Sequence, residues 1–197
     1  MGRVLPILFN TDMVRAILDG RKTVTRRSVK SRSKKACGFY VSFRKSDNAF
    51  MGVYDYDENE RQFDNPQIPP YQPGDILYVR ETWCNANKEG IAPEYYYYAD
   101  TVFCEDYDST EWKWRPSIHM PKEAARIWLK VIDVRVERLQ DMETEDDQNY
   151  MAEGATDKHD FIQIWNQTVN DIKAYGWYVN PWVWVIEFER CGKPEEL

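Results

Sequence analysis

The sequence is poor in metal-binding residues and has no long apolar run. Its 197 residues include two histidines and four cysteines. The cysteines lie far apart, with no Cys-x-x-Cys spacing, at Cys37, Cys84, Cys104 and Cys191. No stretch approaches the ~18 apolar residues of a membrane helix, and the first residues lack the basic-then-apolar order of a signal peptide. We therefore expect a cytoplasmic protein with reduced thiols, no metal site and no membrane span.

The short motifs of the common enzyme classes are also missing. The sequence contains no Gly-x-Gly-x-x-Gly, no phosphate-binding P-loop, no Gly-x-Ser-x-Gly and no His-Glu-x-x-His. These motifs place backbone amides against a phosphate, a serine nucleophile on a sharp turn, or a zinc ion between two histidines. Their absence excludes most nucleotide-cofactor enzymes, the usual serine hydrolases and the zinc peptidases of this type. We expect no cofactor.

Charge is distributed unevenly along the chain. The formal net charge is −7, yet residues 21–35 carry eight Lys and Arg side chains and no acid. Such a run either forms a solvated surface or attracts phosphate groups locally, and the sequence leaves both open. The overall acidity argues against general polyanion binding and favours a short or small ligand. The acids cluster in Asp55–Asp64, Glu105–Glu111 and Asp141–Asp147.

Hydrophobic patterning predicts one α+β domain over residues 1–197, built on a small mixed or antiparallel β-barrel with peripheral helices. Strands with short helices between them do not fit a parallel βαβ repeat. An acidic, proline-containing segment near residues 55–73 is expected to be a flexible insertion. The expected strands are Val4–Phe9, Phe39–Phe43, Phe50–Tyr54, Ile76–Arg80, Tyr95–Ala99, Ile127–Glu137 and Trp182–Glu189.

Local signals place three helices and one β-bulge. Asn10 is suited to cap a helix that ends before Gly20, and the pattern predicts a short acidic helix over Thr144–Glu153. Asp160 is expected to open an amphipathic helix. The apolar alternation slips at Val131-Ile132, which predicts a bulge in the longest strand.

The segment Gly20-Arg21-Lys22-Thr23-Val24-Thr25-Arg26-Arg27 places a lysine, hydroxyls and guanidinium groups directly after a helix. Cations in this position often only offset the helix dipole, and Thr25 is also an ordinary strand residue. On a regular strand Lys22 and Thr25 would point to opposite faces. A shared site therefore requires the chain to turn at Arg21–Thr23.

Two further segments carry charged and aromatic side chains. Pro73-Gly74-Asp75-x-Leu77-x-Val79-Arg80-Glu81-Thr82-Trp83 ends a strand, and Ala152-Glu153-Gly154 ends a helix. Arg80 and Glu81 are suited to contact a base edge, with Trp83 or Trp182 stacked on the base. The alternative is a buried ion pair beside core tryptophans.

Together with Trp177-x-x-Asn180-Pro181-Trp182-Val183-Trp184-Val185, these segments resemble the ASCH domain family, in particular its phage and prophage members. The similarity extends from about Leu5 to Arg190. The resemblance implies a PUA-like β-barrel, related to RNA-binding domains of modification and translation proteins. It also implies a ligand cleft around the turn from helix to strand.

One bacterial branch of this family hydrolyses the amide of N4-acetylcytidine, and its functional Lys-x-x-Thr and Glu are similar to Lys22, Thr25 and Glu153. The chemistry of these three side chains suits Lys22 as the base, Thr25 or a water as the nucleophile, and Glu153 as the acid. A desolvated lysine flanked by arginines would have a lowered pKa. Another branch has been linked to RNA cleavage, so the fold alone does not decide the function.

We expect a protein that binds RNA or a modified nucleoside. The alternatives are an amidohydrolase acting on an N4-acylated cytosine and a phage module that binds another protein through its acidic stretches. Since Lys22 is expected outside the core, Lys22→Ala should cost little stability. The catalytic candidates are Lys22, Thr25 and Glu153, and the ligand-binding candidates are Arg21, Arg26, Arg80, Glu81, Trp83 and Trp182.

Overall fold

The computed structural model describes residues 2–32, 34–63, 65–85, 95–103, 113–143 and 147–194. The predicted acidic stretch Glu105–Glu111 lies outside them. The strands are β1 (Val4–Leu8), β2 (Val24–Ser28), β3 (Gly38–Phe43), β4 (Phe50–Tyr56), β5 (Ile76–Arg80), β6 (Trp83–Asn85), β7 (Tyr95–Tyr97), β8 (Trp128–Arg138) and β9 (Trp182–Cys191). The α-helices are α1 (Thr11–Leu18), α2 (Gln148–Ala152), α3 (Lys158–Thr168) and α4 (Ile172–Tyr175).

A five-stranded mixed sheet forms the centre of the fold, in the order β1-β5-β8-β9-β2. β1 runs parallel to β5, and the other neighbours are antiparallel. Two small hairpins, β3–β4 and β6–β7, lie beside it. The predicted α+β class with a mostly β core is confirmed, whereas the described part of the chain shows no closed barrel. A side chain links the edge strands instead: the Arg27 guanidinium donates to the Leu8 carbonyl at 2.9 Å.

Helix α1 forms as its sequence predicts and fixes the start of β2. The Asn10 side chain accepts a hydrogen bond from the Met13 N–H at 2.9 Å, which caps the helix. Val14 and Ile17 on its inner face are fully buried. The helix ends before Gly20, whose φ of +76° suits glycine, and the chain turns there.

Strand β9 is buried on both faces. Trp184, Ile186 and Phe188 pack into the main core with β1 and α1, as the alternation predicts. Val183 and Val185 face the other way and pack under α3, against Phe161, Trp165 and Trp177. Burial of each of these valines contributes about 1.5–3 kcal/mol, so α3 is held firmly against the sheet.

Several element boundaries differ from the prediction. The bulge in β8 is confirmed, with the register against β9 shifting between Val131 and Asp133. Helix α3 starts at Lys158 and not at Asp160, because the side chain of Asp157 caps it by accepting from the Asp160 N–H at 2.9 Å. The strand predicted over Tyr95–Ala99 ends at Tyr97 and continues as a 3-10 turn.

The acidic segment near residues 55–73 makes contacts with β4. Isolated β-bridges join Val53 to Gln67 and Tyr56 to Gln62. Asp55 is buried and accepts hydrogen bonds from the Gln67 amide at 2.8 Å and the Arg32 N–H at 3.0 Å. The flexible insertion remains a prediction. Among the helices of the described ranges, none has the length and apolar character needed to cross a bilayer.

Candidate functional site

The turn between α1 and β2 brings Lys22 and Thr25 to one cavity. The Lys22 N–H donates to the Ala16 carbonyl at 3.0 Å, and the Thr23 N–H donates to the Ala152 carbonyl of α2 at 2.9 Å. Regular strand geometry begins only at Val24, so the alternation of a strand does not apply to Lys22. Lys22, Thr25 and Glu153 line the same cavity.

The Lys22 ammonium is buried and fully hydrogen-bonded. Its Nζ donates to Glu153 Oε2 at 2.8 Å, to the Glu153 carbonyl at 2.6 Å and to the Val24 carbonyl at 2.7 Å. These bonds use all three protons of an ammonium group. Lys22 is 4% exposed and Glu153 is 6% exposed, so the pair belongs to the interior. The expectation that Lys22 lies outside the core is wrong.

Arg26 completes the charge arrangement around Glu153. It donates to Glu153 Oε1 at 3.0 Å, and its other terminal nitrogen lies 3.7 Å from Glu137 Oε2. Arg26 is 6% exposed, and its Nε is buried without a hydrogen-bond partner among the described residues. Arg26 lines the cavity, and this N–H is an unsatisfied buried donor, which costs about 1–3 kcal/mol.

The surroundings of Lys22 lower its pKa. Burial lowers the pKa of the Lys22 amine, Glu153 opposes that shift, and the positive charges of Arg27 and Arg26 add to it. A neutral amine is the form that can accept a proton from water or from a hydroxyl group. The arrangement is therefore chemically suited to proton transfer between Lys22 and Glu153.

The cavity at this site is small. Its volume is about 40 Å³, and its lining combines polar and charged side chains with apolar ones that include Phe9, Phe161 and Trp165. It has room for a few water molecules or a small substituent, since one water needs about 10–15 Å³ on this measure. A whole nucleoside does not fit.

Two larger recesses continue from this cavity along β2. The middle recess, of about 170 Å³, shares Arg26, Arg27, Trp165 and Thr168 with the cavity. The outer recess, of about 370 Å³, shares Arg27, Ser28 and Lys30 with the middle one. We call the cavity and the two recesses together the β2 groove. Its size increases from the buried end to the exposed end.

The structure places the second group of predicted residues in a different cluster. Glu81 is 1% exposed and accepts hydrogen bonds from Arg126 Nε at 3.0 Å and Nη2 at 3.1 Å. Burial raises the pKa of the Glu81 carboxyl, and the bonds from Arg126 oppose that shift. Arg80 donates to the carbonyls of Met120 and Ile118. Glu81 therefore lies in an ion pair, as in the alternative that the sequence left open, but its partner is Arg126, and Arg80 bonds backbone carbonyls instead.

Three further predicted residues also lie outside the lining of the β2 groove. Trp83 is 3% exposed and belongs to a core cluster with Trp128. Trp182 is half-buried, and the Arg138 guanidinium lies 4.3 Å from the centre of its ring. Arg21 is exposed and donates to Asp19 Oδ2 and to the Gly154 carbonyl, both at 3.3 Å.

Sequence reasoning missed Glu137 and the contribution of α3. Glu137 pairs with Arg26 only because β8 and β2 flank β9 in the sheet, and no sequence spacing indicates that relationship. In the sequence, Trp165 and Thr168 belong to a predicted amphipathic helix, and nothing marks them as lining a site. Across the described ranges, no group of three or more His, Cys, Asp or Glu side chains is arranged to hold a metal ion.

No family model, curated protein or solved structure matches the chain. The resemblance to the ASCH family therefore depends on the sequence motifs alone, and the function has to be inferred from the geometry of the β2 groove.

Proposed function

We propose that this chain is a PUA-like domain of the ASCH family that binds a modified cytosine nucleoside, free or within RNA, in the β2 groove. The fold is compatible with that family. The core is mostly β, the central sheet is mixed, and Arg27 links its two edge strands. Helices α2 and α3 contribute Glu153 and Trp165 across the edge of β2, beside the turn where the family's ligand cleft is expected.

The main support for this proposal is that polar side chains from distant segments of the chain line one cavity. Lys22, Thr25 and Glu153 come from segments far apart in the chain and line the same 40 Å³ space. Arg26 lines it too, and its buried Nε has no acceptor in the described part of the chain. A carbonyl oxygen on a ligand would satisfy that donor.

The dimensions of the groove suggest how the ligand lies. A small acyl substituent fits the cavity, and the 170 Å³ middle recess exceeds the size of a single pyrimidine ring. Trp165 lines both spaces and is 5% exposed, so a base would contact only the small part of its side chain that borders them. The acyl group would then lie beside Thr25 with its carbonyl oxygen near Arg26.

Hydrolysis of that acyl group is the second candidate function, favoured by the 2.8 Å hydrogen bond between Lys22 and Glu153. Transfer of the shared proton to Glu153 leaves a neutral amine and a carboxylic acid. Lys22 then removes a proton from a water that attacks the acyl carbon, and Arg26 stabilises the oxyanion. Glu153 protonates the exocyclic nitrogen as the C–N bond breaks. The products are the carboxylic acid and the free amino base, and the charged pair is restored.

The test combines calorimetry with product analysis. N4-acetylcytidine and cytidine are titrated into the parent protein, and release of cytidine is followed by mass spectrometry. Thr25→Val keeps the side-chain shape and removes the hydroxyl, and Glu153→Gln removes the acid. Arg44→Gln serves as the control, because Arg44 is exposed on the β3–β4 hairpin, away from the groove.

The proposal expects N4-acetylcytidine to bind more tightly than cytidine, and both site variants to weaken that preference while the control keeps it. Binding with turnover that Glu153→Gln abolishes assigns the hydrolase. Binding without turnover assigns the binding domain. A folded parent protein that binds neither nucleoside, nor RNA containing the acetylated base, contradicts the proposal.

A further inference from the structure

The outer recess of the β2 groove has features that the base and its acyl group leave unused. Three cations, Arg27, Lys30 and Arg32, line it together with the aromatic side chains of Tyr71 and Trp184. None of the described residues lining it carries a carboxylate. In a chain with a net charge of −7, this is a local concentration of positive charge.

The side chains of the three cations contact neutral partners. Arg27 donates to the Leu8 carbonyl, and the Arg32 guanidinium donates to the Ile68 carbonyl. Lys30 Nζ lies 5.1 Å from the centre of the Tyr175 ring. None of these three side chains forms a salt bridge within the ranges that the structure describes. Because these partners are uncharged, the three side chains can still form a charge-assisted contact with an anion.

The backbone of β2 adds hydrogen-bond donors on the same side. The N–H of Val29 donates to the Trp182 carbonyl, and the N–H of Phe188 donates to the Thr23 carbonyl. Odd-numbered residues of β2 therefore direct their backbone groups to β9. Arg26 and Ser28 direct theirs to the opposite edge, and Ser28 lines both the middle and the outer recess. Such edge amides are able to bind phosphate oxygens.

We infer that the outer recess is a phosphate subsite, so that the preferred ligand of the β2 groove is a nucleotide, free or within an RNA strand. The placement of the base in the groove rests on the proposed function. The phosphate contact rests only on the residues that line the outer recess. Thr25 and Ser28 lie about 10 Å apart along β2, at ~3.3 Å per residue. That length is comparable with one nucleotide, measured from the exocyclic group of its base to its phosphate.

The test measures the effect of the phosphate on affinity. N4-acetylcytidine, its 5′-monophosphate, a short RNA containing N4-acetylcytidine and inorganic phosphate are titrated into the parent protein at several salt concentrations. The variant Lys30→Gln/Arg32→Gln removes two cations from the recess. Its control, Lys34→Gln/Lys45→Gln, removes two exposed cations that do not line the recess, so the net charge of both variants is equal.

We expect the monophosphate to bind about tenfold more tightly than the nucleoside, because one charge-assisted contact to the phosphate contributes a gain in affinity of that order. The recess variant should lose that gain, and the control should keep it. The slope of log K against log salt for the RNA should fall by about 1 for each phosphate contact removed. A preference for RNA over the monophosphate would identify the strand as the source of the phosphate, and equal binding would identify the free nucleotide.

The two proposals fail in distinguishable ways. If nucleoside and monophosphate bind equally, and the recess variant matches its control, the phosphate subsite is overturned while base recognition stands. If phosphate-bearing ligands bind irrespective of the base, and the recess variant loses this binding, the subsite is supported and base recognition fails. Absence of binding for all four ligands overturns both.

Discussion

Lys22 and Glu153 lie 131 positions apart in the sequence and share a 2.8 Å hydrogen bond inside the protein. Arg26 occupies the other oxygen of the same carboxylate at 3.0 Å, so a single acid serves two buried cations. The candidate site is therefore also part of the interior of the fold. Glu137, which lies 3.7 Å from Arg26, adds a second acid to the cluster.

Replacement of Lys22 should destabilise the protein strongly. Lys22→Met keeps most of the volume but leaves Glu153 Oε2 and the carbonyls of Glu153 and Val24 without their donor, at a cost of about 1–3 kcal/mol for each unsatisfied group. The free energy of unfolding, measured with urea, checks this. Lys34→Met is the control, because Lys34 is exposed and its loss should change stability by less than about 0.5 kcal/mol. Similar values for the two variants would show that Lys22 has no structural role.

The stability contributed by Lys22 should increase with pH. Burial lowers its pKa below the ordinary value of about 10.4, so between the lowered pKa and 10.4 the folded state binds fewer protons than the unfolded state. Stability therefore rises with pH across that window, and the cost of the buried charge is largest below it. The difference in unfolding free energy between the parent protein and Lys22→Met, measured from pH 7 to 10.5, should grow. A constant difference would contradict the shift.

Replacement of Glu81 should lower the stability of the protein without changing its affinity for the ligand. Glu81→Gln removes both charge-assisted hydrogen bonds from Arg126, and we expect a loss of about 1–3 kcal/mol. Because Glu81 does not line the β2 groove, the affinity for N4-acetylcytidine should stay unchanged where the variant is folded. Calorimetry alongside chemical denaturation separates the two effects. A loss of affinity in the folded variant would show that Glu81 contributes to ligand binding after all.

Two glycines with positive φ should respond differently to alanine. Gly20 and Gly154 have φ values of +76° and +89°, so both substitutions should cost about 1–2 kcal/mol in backbone strain. A Cβ on Gly20 meets open space, whereas one on Gly154 would lie 2.9 Å from the Ala16 Cβ and 3.4 Å from the Lys22 Cδ. Gly154→Ala should therefore cost about 1–3 kcal/mol more. Equal losses in thermal or chemical denaturation would contradict the tight packing around Lys22.

The parts of the fold that could be predicted depend on local patterns. Asn10 and Gly20 delimit α1, and β5 has the predicted bounds Ile76–Arg80 because its apolar run follows a Pro-Gly turn. The start of α3 was misplaced because Asp157 and Asp160 both resemble caps in the sequence, and only the hydrogen bond from the Asp160 N–H distinguishes them.

The candidate site was predictable only where neighbours in sequence are also neighbours in space. The motif around Lys22 and Thr25 indicated a polar cluster, but its burial depends on the hydrogen bonds that join the turn to α1 and α2. Glu81 was a candidate because of its charge. Its partner Arg126 lies 45 positions away, and no sequence spacing indicates that pairing.

β2 is an edge strand of the central sheet, and the cations along it oppose self-association. An edge strand exposes backbone groups to which another chain can add a strand, and proteins commonly protect such edges with charged side chains. A second copy approaching this edge would bring Arg27 and Lys30 against their own counterparts. Binding of an anion would cancel that repulsion, so occupancy of the groove and the solubility of the protein should be coupled.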